Sequence, residues 1–279
     1  MANPIARRIK AFSVEQNEMD SGLDTLWRDT MRSLGFLTRL HVPPRYFEGD
    51  TGALTTTARA FPLAAIIATL PALAVLIIGT LFVLPPLLIA ALSVATLTIT
   101  CGGLHEDGLA DVADGFFGGN TSERRLEIMK DSRIGAYGAL ALVISFSVKI
   151  IALAAILQSG LLCALASLVA ATVAGKAALI WHWSELEPAR PGGTSDKAGA
   201  PSEDAATFAL GSGAAIAVIL AFAARGTMPT LLAIGLCIVA THLFKQLCAD
   251  KIGGQTGDTL GAAAIIAEMS FFIGLASGL

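Results

Sequence analysis

The sequence predicts an all-α, polytopic membrane helix bundle of about seven transmembrane spans with a cytoplasmic N-terminus. Three observations carry this expectation. Hydrophobic residues make up 54% of the 279-residue chain and charged residues 15%, against about 25% charged in an ordinary soluble domain. Mean hydropathy is +0.68. Charge is also missing from whole stretches of roughly 20 residues, the length that crosses ~30 Å of hydrocarbon as a helix.

The candidate spans cover 61–80, 81–101, 137–157, 161–180, 206–224, 230–248 and 260–279. None alternates at period two, so barrel strands are not expected. Pro85 and Pro86 suit the first turn of the second span. Almost nothing separates the first two spans, which predicts a tight helical hairpin, and Pro71 marks a site for a kink. Lys149 and Lys245 are expected to snorkel to the interface. Lys176 either snorkels or faces a substrate cavity. Glu268 has no partner nearby in sequence. Cys101, Cys163, Cys237 and Cys248 form no CxxC pair and read as small buried hydrophobes.

Basic residues set the orientation. Arg7, Arg8, Lys10, Arg28, Arg32, Arg39, Arg45 and Arg59 precede the first span, and the next connection has none. Arg124, Arg125, Lys130 and Arg133 follow the second span. Arg190 with Lys197, and later Lys251, mark two further loops. The expected organisation is a cytoplasmic N-terminal region, 1–60, and a transmembrane catalytic domain, 61–279. Its active-site loops are 102–136, 181–205 and 249–259, all on the cytoplasmic side. Within the N-terminal region, 24–40 has amphipathic spacing. It suits either the membrane surface or packing against the bundle.

Chemistry concentrates at GGLHEDGLADVADGFFGG, residues 102–119. Glu106, Asp107, Asp111 and Asp114 fall there in a chain otherwise sparing with charge. Asp107, Asp111 and Asp114 are spaced i, i+4, i+7, within about 60° on one helix face. Like charges so placed destabilise a bare helix. A Mg²⁺ ion, which takes oxygen ligands and shares them with substrate phosphates, would compensate. The plainer alternative is a solvated acidic helix end. Glu106 points about 100° aside, and a single histidine, His105, does not make a zinc site. Gly108 and Gly115 would let a bulky ligand approach the backbone.

Two more elements fit phosphate chemistry. In MKDSRIGAYG, residues 129–138, Asp131 could complete a metal site while Lys130 and Arg133 neutralise phosphate oxygens. In GGQTGDTLG, residues 253–261, a glycine-rich turn enters a helix whose N-terminus favours anions. Asp258 there either caps the helix or joins the metal. Arg190 lies beside flexible glycines in PARPGG, 188–193.

These motifs resemble those of the cobalamin synthase family, also called adenosylcobinamide-GDP ribazoletransferases. The resemblance rests on GGLHEDGLADVADG (102–115), IMKDSRIGAYG (128–138) and GGQTGDTLGA (253–262), with weaker matches at FLTRLHVP (36–43) and PARPGG. It runs from Phe36 through most of the chain. Glu106 departs from a more usual apolar residue, and His41 from a common proline. The resemblance implies a Mg²⁺-dependent phosphoryl transfer in a bacterial cytoplasmic (inner) membrane. A hydroxyl of α-ribazole, or of its 5′-phosphate, attacks the cobinamide-linked phosphorus of adenosylcobinamide-GDP, and GMP leaves. It implies Asp107, Asp111 and Asp114 as metal ligands and catalytic residues, with Asp131 supporting them. Arg39, His105, Arg133, Arg190, Gly257 and Asp258 are the expected substrate-binding residues. The rival readings are a membrane phosphotransferase of CDP-alcohol type and a divalent-cation transporter. The first expects an Ala-Arg pair where Phe116 and Phe117 stand. The second expects acids inside the spans and discontinuous helices, which hydropathy does not indicate here.

Overall fold

The computed structural model describes residues 22–49, 54–190 and 192–279. Arg7, Arg8, Lys10 and Pro191, used above, lie outside them. The described residues contain helices and no strand beyond one isolated bridge, Pro188 with Gln255. In order the helices are α1 (22–37), α2 (Phe61–Leu81), α3 (Pro86–Thr100), α4 (Leu104–Gly118), α5 (Ser122–Ile128), α6 (Ala136–Gln158), α7 (Leu161–Glu185), α8 (Thr194–Ala198), α9 (Glu203–Arg225), α10 (Thr227–Ile252) and α11 (Gly257–Leu275).

Among the described residues six helices are long and apolar enough to cross a membrane: α2 (with the 3₁₀ turn before it), α6, α7, α9, α10 and α11. α3 is the exception. It has 15 residues, about 22 Å at 1.5 Å per residue, too short to cross alone. It continues into α4 after a bend of 91°. The bend falls at Gly102 and Gly103, with φ of 65° and 68°, a left-handed backbone that side chains resist. The second expected span, 81–101, is therefore half of a broken helix pair, a discontinuity that hydropathy did not reveal. Pro71 lies inside α2 without ending it. The α2–α3 connection is the tight hairpin expected, with Gly79 seated on Ile89.

α7 is the centre of the bundle, buried along most of its length against α2, α9 and α11. Lipid is as apolar as leucine, so close backbone approach at small residues holds such helices together. At Gly175 of α7 an added Cβ would come within 2.8 Å of the Ala264 carbonyl in α11. Gly274 of α11 lies directly against the Ala233 backbone of α10. α1 turns Met31, Leu34 and Leu37 into this same core and leaves Leu23, Trp27 and Phe36 exposed. The inner stripe of the amphipathic segment therefore packs on the bundle.

One intramembrane lysine departs from expectation. Lys149 does not snorkel. It is buried 3.4 Å from Glu106 and 3.6 Å from Glu268, which gives the unexplained Glu268 its partner. Thr98 and Thr172 donate to these carboxylates, each at 3.1 Å. Lys245 is bound to Glu185 and lies over the Trp181 ring. Lys176 is buried within electrostatic reach of His105.

Candidate active site

The predicted active-site loops meet at one end of the bundle, around a cavity of about 430 Å³. Such a volume suits a small ligand held by a few convergent polar groups. Asp107 and His105 reach it from α4, Gly257 and Asp258 from the start of α11, Lys130 from the loop before α6, and Arg190 from the loop after α7.

Local sequence explains the arrangement. α4 presents Asp107, Asp111 and Asp114 on its open side while Leu109, Val112 and Phe116 pack inward against Phe244, Cys248 and Ile252 of α10. α4 and α11 cross in near-contact. A Cβ on Gly108 would sit 2.6 Å from the Asp258 carbonyl oxygen, and one on Gly261 3.1 Å from the His105 Cα. Gly115 likewise faces Met129 and the Arg125 carbonyl. The glycines of the acidic motif thus admit a neighbouring element of the protein, not a ligand. The consequence for the site is direct: the crossing sets Asp107 against Asp258.

Asp258 is not the cap of α11. Thr256 is, accepting from the Thr259 N–H at 3.3 Å while the Thr259 hydroxyl accepts from the Thr256 N–H at 2.9 Å. Asp258 is left to face the cavity, within electrostatic range of Asp107 and Arg190. Its carboxylate accepts from the Thr256 hydroxyl at 3.3 Å. Arg190 donates through Nη2 to the Leu126 carbonyl at 2.5 Å, while its buried Nε has no protein acceptor. A bridge of the 187–189 and 255 backbones anchors this loop: Ala189 N–H donates to Gln255 at 2.8 Å, and Gln255 N–H to Glu187 at 2.9 Å.

The remaining expected site residues have other roles in the structure. Asp114 accepts from Gly135 N–H at 2.7 Å and from Gly138 N–H at 2.9 Å, so it ties α4 to the first turn of α6. Asp131 is half-buried and clamps the exposed Arg133, with Nη2 at 2.5 Å and the Arg133 backbone N–H at 3.1 Å. These hydrogen bonds hold the Asp131 carboxyl down to about 2. A depressed carboxyl contributes above its unfolded value and loses that contribution as pH falls through its folded one. The pair therefore persists across the whole neutral range. Neither residue lines the cavity, nor does Arg39, which lies over Gly102 with its backbone N–H on the Thr100 carbonyl at 2.8 Å. Trp183, Phe61 and Leu179 line the cavity and were not singled out as site residues. Nothing in a run of apolar residues marks which of them will border a cavity.

This contrast predicts two arginine phenotypes. Arg133→Ala should change turnover less than about twofold, because an exposed ion pair contributes little. Arg190→Ala should lower it about 10²-fold or more, as loss of a charge-assisted contact to phosphate does. Steady-state rates of the two purified variants check both.

Among the described residues no three His, Cys, Asp or Glu side chains converge as a ready-made metal cage. With Asp114 engaged by backbone, Asp107, Asp111 and Asp258 remain, and both Asp107 and Asp258 act electrostatically on Asp111. One or two carboxylates completed by substrate phosphates is the donor set Mg²⁺ accepts. The residues present fit that ion.

Comparison with known proteins gives the family. The family described as cobalamin-5-phosphate synthase matches residues 29–276. Proteins named adenosylcobinamide-GDP ribazoletransferase are similar along almost their whole length. The one from Rhizobium meliloti (strain 1021) is 46% identical over 262 residues, 90% of this chain and 97% of that protein. The one from Brucella ovis (strain ATCC 25840 / 63/290 / NCTC 10512) is 45% identical over 252 residues, again 90% and 97%. No solved structure matches. A match over most of the length, together with acidic, glycine-rich and arginine-bearing loops gathered at one cavity, has one meaning: the chain belongs to the cobalamin-5-phosphate synthase family.

Proposed function

We propose that this protein is an adenosylcobinamide-GDP ribazoletransferase, acting at the cytoplasmic face of a bacterial inner membrane. The observation that carries the reading is the cavity where Asp107 and Asp258 face Arg190 and Lys130, in a chain of this family. An α-ribazole hydroxyl oxygen bonds to the cobinamide-linked phosphorus of adenosylcobinamide-GDP. The bond from that phosphorus to the bridging oxygen breaks, and GMP leaves with the electron pair. The hydroxyl proton passes to a cavity carboxylate, Asp107 or Asp258. Catalysis of this kind is mostly positioning and charge stabilisation. Arg190 and Lys130 supply positive charge to the pyrophosphate. A cavity of about 430 Å³ holds a nucleoside and a pyrophosphate end, and the much larger corrinoid extends beyond it.

Asp107 and Asp111, with Asp258 opposite, are the residues that would hold Mg²⁺. When bound, the ion neutralises the pyrophosphate and the departing GMP. The cytoplasmic placement follows from the basic residues Arg124, Arg125, Lys130, Arg133, Arg190 and Lys251 at this end.

Protein in nanodiscs with adenosylcobinamide-GDP, α-ribazole and Mg²⁺ is expected to yield cobalamin and GMP in equal amounts, with EDTA abolishing both. No product from folded protein with either ribazole form would refute the assignment. Undiminished product in EDTA would refute the metal alone.

A further inference from the structure

The cavity has two chemically different walls. Its charged groups come from α4, α11 and the loops. Apolar lining comes from α1, α2 and α7, with Leu37, Phe61, Leu179 and Trp183. The rings form a series: Phe36 stacks on Phe61 at 5.9 Å and 22°, and Phe61 meets Trp183 at 6.2 Å and 40°. Leu179 and Trp183 are one turn apart on α7, so both face the same way. Trp183 is 2% exposed, and its indole Nε1–H has no acceptor in the protein. A buried donor without a partner is unusual, because leaving it unmade costs the full desolvation of the group. Buried indole N–H groups ordinarily find one.

We propose that this wall seats the base of α-ribazole and that the Trp183 Nε1–H orients it by donating to the base's free ring nitrogen. The inference rests on the transferase reading for the identity of the ligand, and on the wall itself for its chemistry. α-Ribazole carries a benzimidazole. One of its ring nitrogens is bonded to ribose, and the other is an in-plane acceptor without hydrogen. The rest of the base is hydrocarbon. An apolar wall with a single donor complements that pattern. Guanine, the base of the other substrate, presents donors and acceptors along its edges. Set against Phe61, Leu179 and Trp183, most of these would go unpaired, and sites reject ligands strongly on that ground. The guanosine end therefore belongs outside this wall, and Trp183 is a specificity-determining residue for the nucleoside.

The test is binding of α-ribazole to the full-length protein in nanodiscs by equilibrium dialysis, alongside two-substrate kinetics. Trp183→Phe keeps the ring contact and removes the donor. It should weaken α-ribazole binding and raise its KM about five- to tenfold, the loss of one neutral hydrogen bond. The KM for adenosylcobinamide-GDP and kcat at saturating ribazole should stay within about twofold. The ligand gives a second, independent arm. The indole analogue of α-ribazole, with CH in place of the free nitrogen, should bind the unaltered protein five- to tenfold more weakly than α-ribazole. The Phe variant should not tell the two ligands apart. Unchanged ribazole affinity in Trp183→Phe, or a raised KM for adenosylcobinamide-GDP instead, would overturn the proposal. If the variant fails to fold, the analogue decides: equal affinity of the two nucleosides for the unaltered protein overturns it. Failure of the transferase reading is distinct, since it shows as absent cobalamin formation in a protein that still discriminates the two nucleosides.

Discussion

Asp107→Asn should reduce cobalamin formation about 10²- to 10³-fold while the folded bundle is unaffected. Asp107 is exposed on α4, lines the cavity and faces Asp258 across the α4–α11 crossing. Its removal takes away a group that acts on the charge developing in the transfer, and single losses of that kind have this size. The amide is nearly isosteric and the residue is solvent-exposed, so thermal melting in detergent should not move. Asp114→Asn makes the instructive comparison. Asp114 binds two backbone N–H groups at the start of α6 with its two oxygens, and an amide can accept with only one of its two ends. Activity and melting temperature should then fall together, because the α4–α6 joint loosens. Rates measured beside melting curves separate the two behaviours. An active Asp107→Asn protein would remove this residue from the chemistry and leave Asp258 as the carboxylate to test.

Lys149→Met should be the most destabilising substitution in the chain, with a loss of about 3–5 kcal/mol or failure to accumulate as folded protein. Removing one partner of a buried ion pair leaves uncompensated charge, and that penalty has this magnitude. Here two carboxylates, Glu106 and Glu268, would lose their shared cation inside the bundle. Charge in that environment is expensive. The triple variant Glu106→Gln, Lys149→Met, Glu268→Gln should recover most of the stability. It buries no charge, and Thr98 and Thr172 can still donate to the two amides. Detergent melting curves for both proteins test this. A Lys149→Met protein that melts like the parent would mean the three charges are not coupled as their geometry indicates.

The Lys149 network shows where the sequence stops being readable. Nothing near Glu268 in sequence offers it a partner, and a lone lysine in an apolar span reads as a snorkelling side chain. The partners of Lys149 come from α4 and α11, 43 and 119 positions away along the chain. The glycines of the acidic motif show a second limit. Their smallness was evident, but what fills the space was not: the Asp258 backbone at Gly108, and Met129 with Arg125 at Gly115.

By itself the sequence determined the class, the spans and the charged, glycine-rich loops between them. Hydropathy is additive along the chain, and a membrane helix satisfies its own backbone, so long apolar runs with charged loops between them are legible locally. The second span, 81–101, is the one that proved short: its helix starts only at Pro86, and it turns into α4 at two left-handed glycines that lie just past the apolar run. The acidic motif and the glycine turn were also legible, since charge is rare enough in this chain to stand out. The tertiary structure decided which of those residues share a cavity. It drew Asp107, His105, Lys130, Arg190 and Asp258 together and brought in Phe61, Leu179 and Trp183. It gave Asp114 to the α6 backbone and Asp131 to Arg133. A carboxylate's role depends on which donor reaches it first. That is a matter of helix crossings between segments far apart in the chain, and no local pattern encodes it.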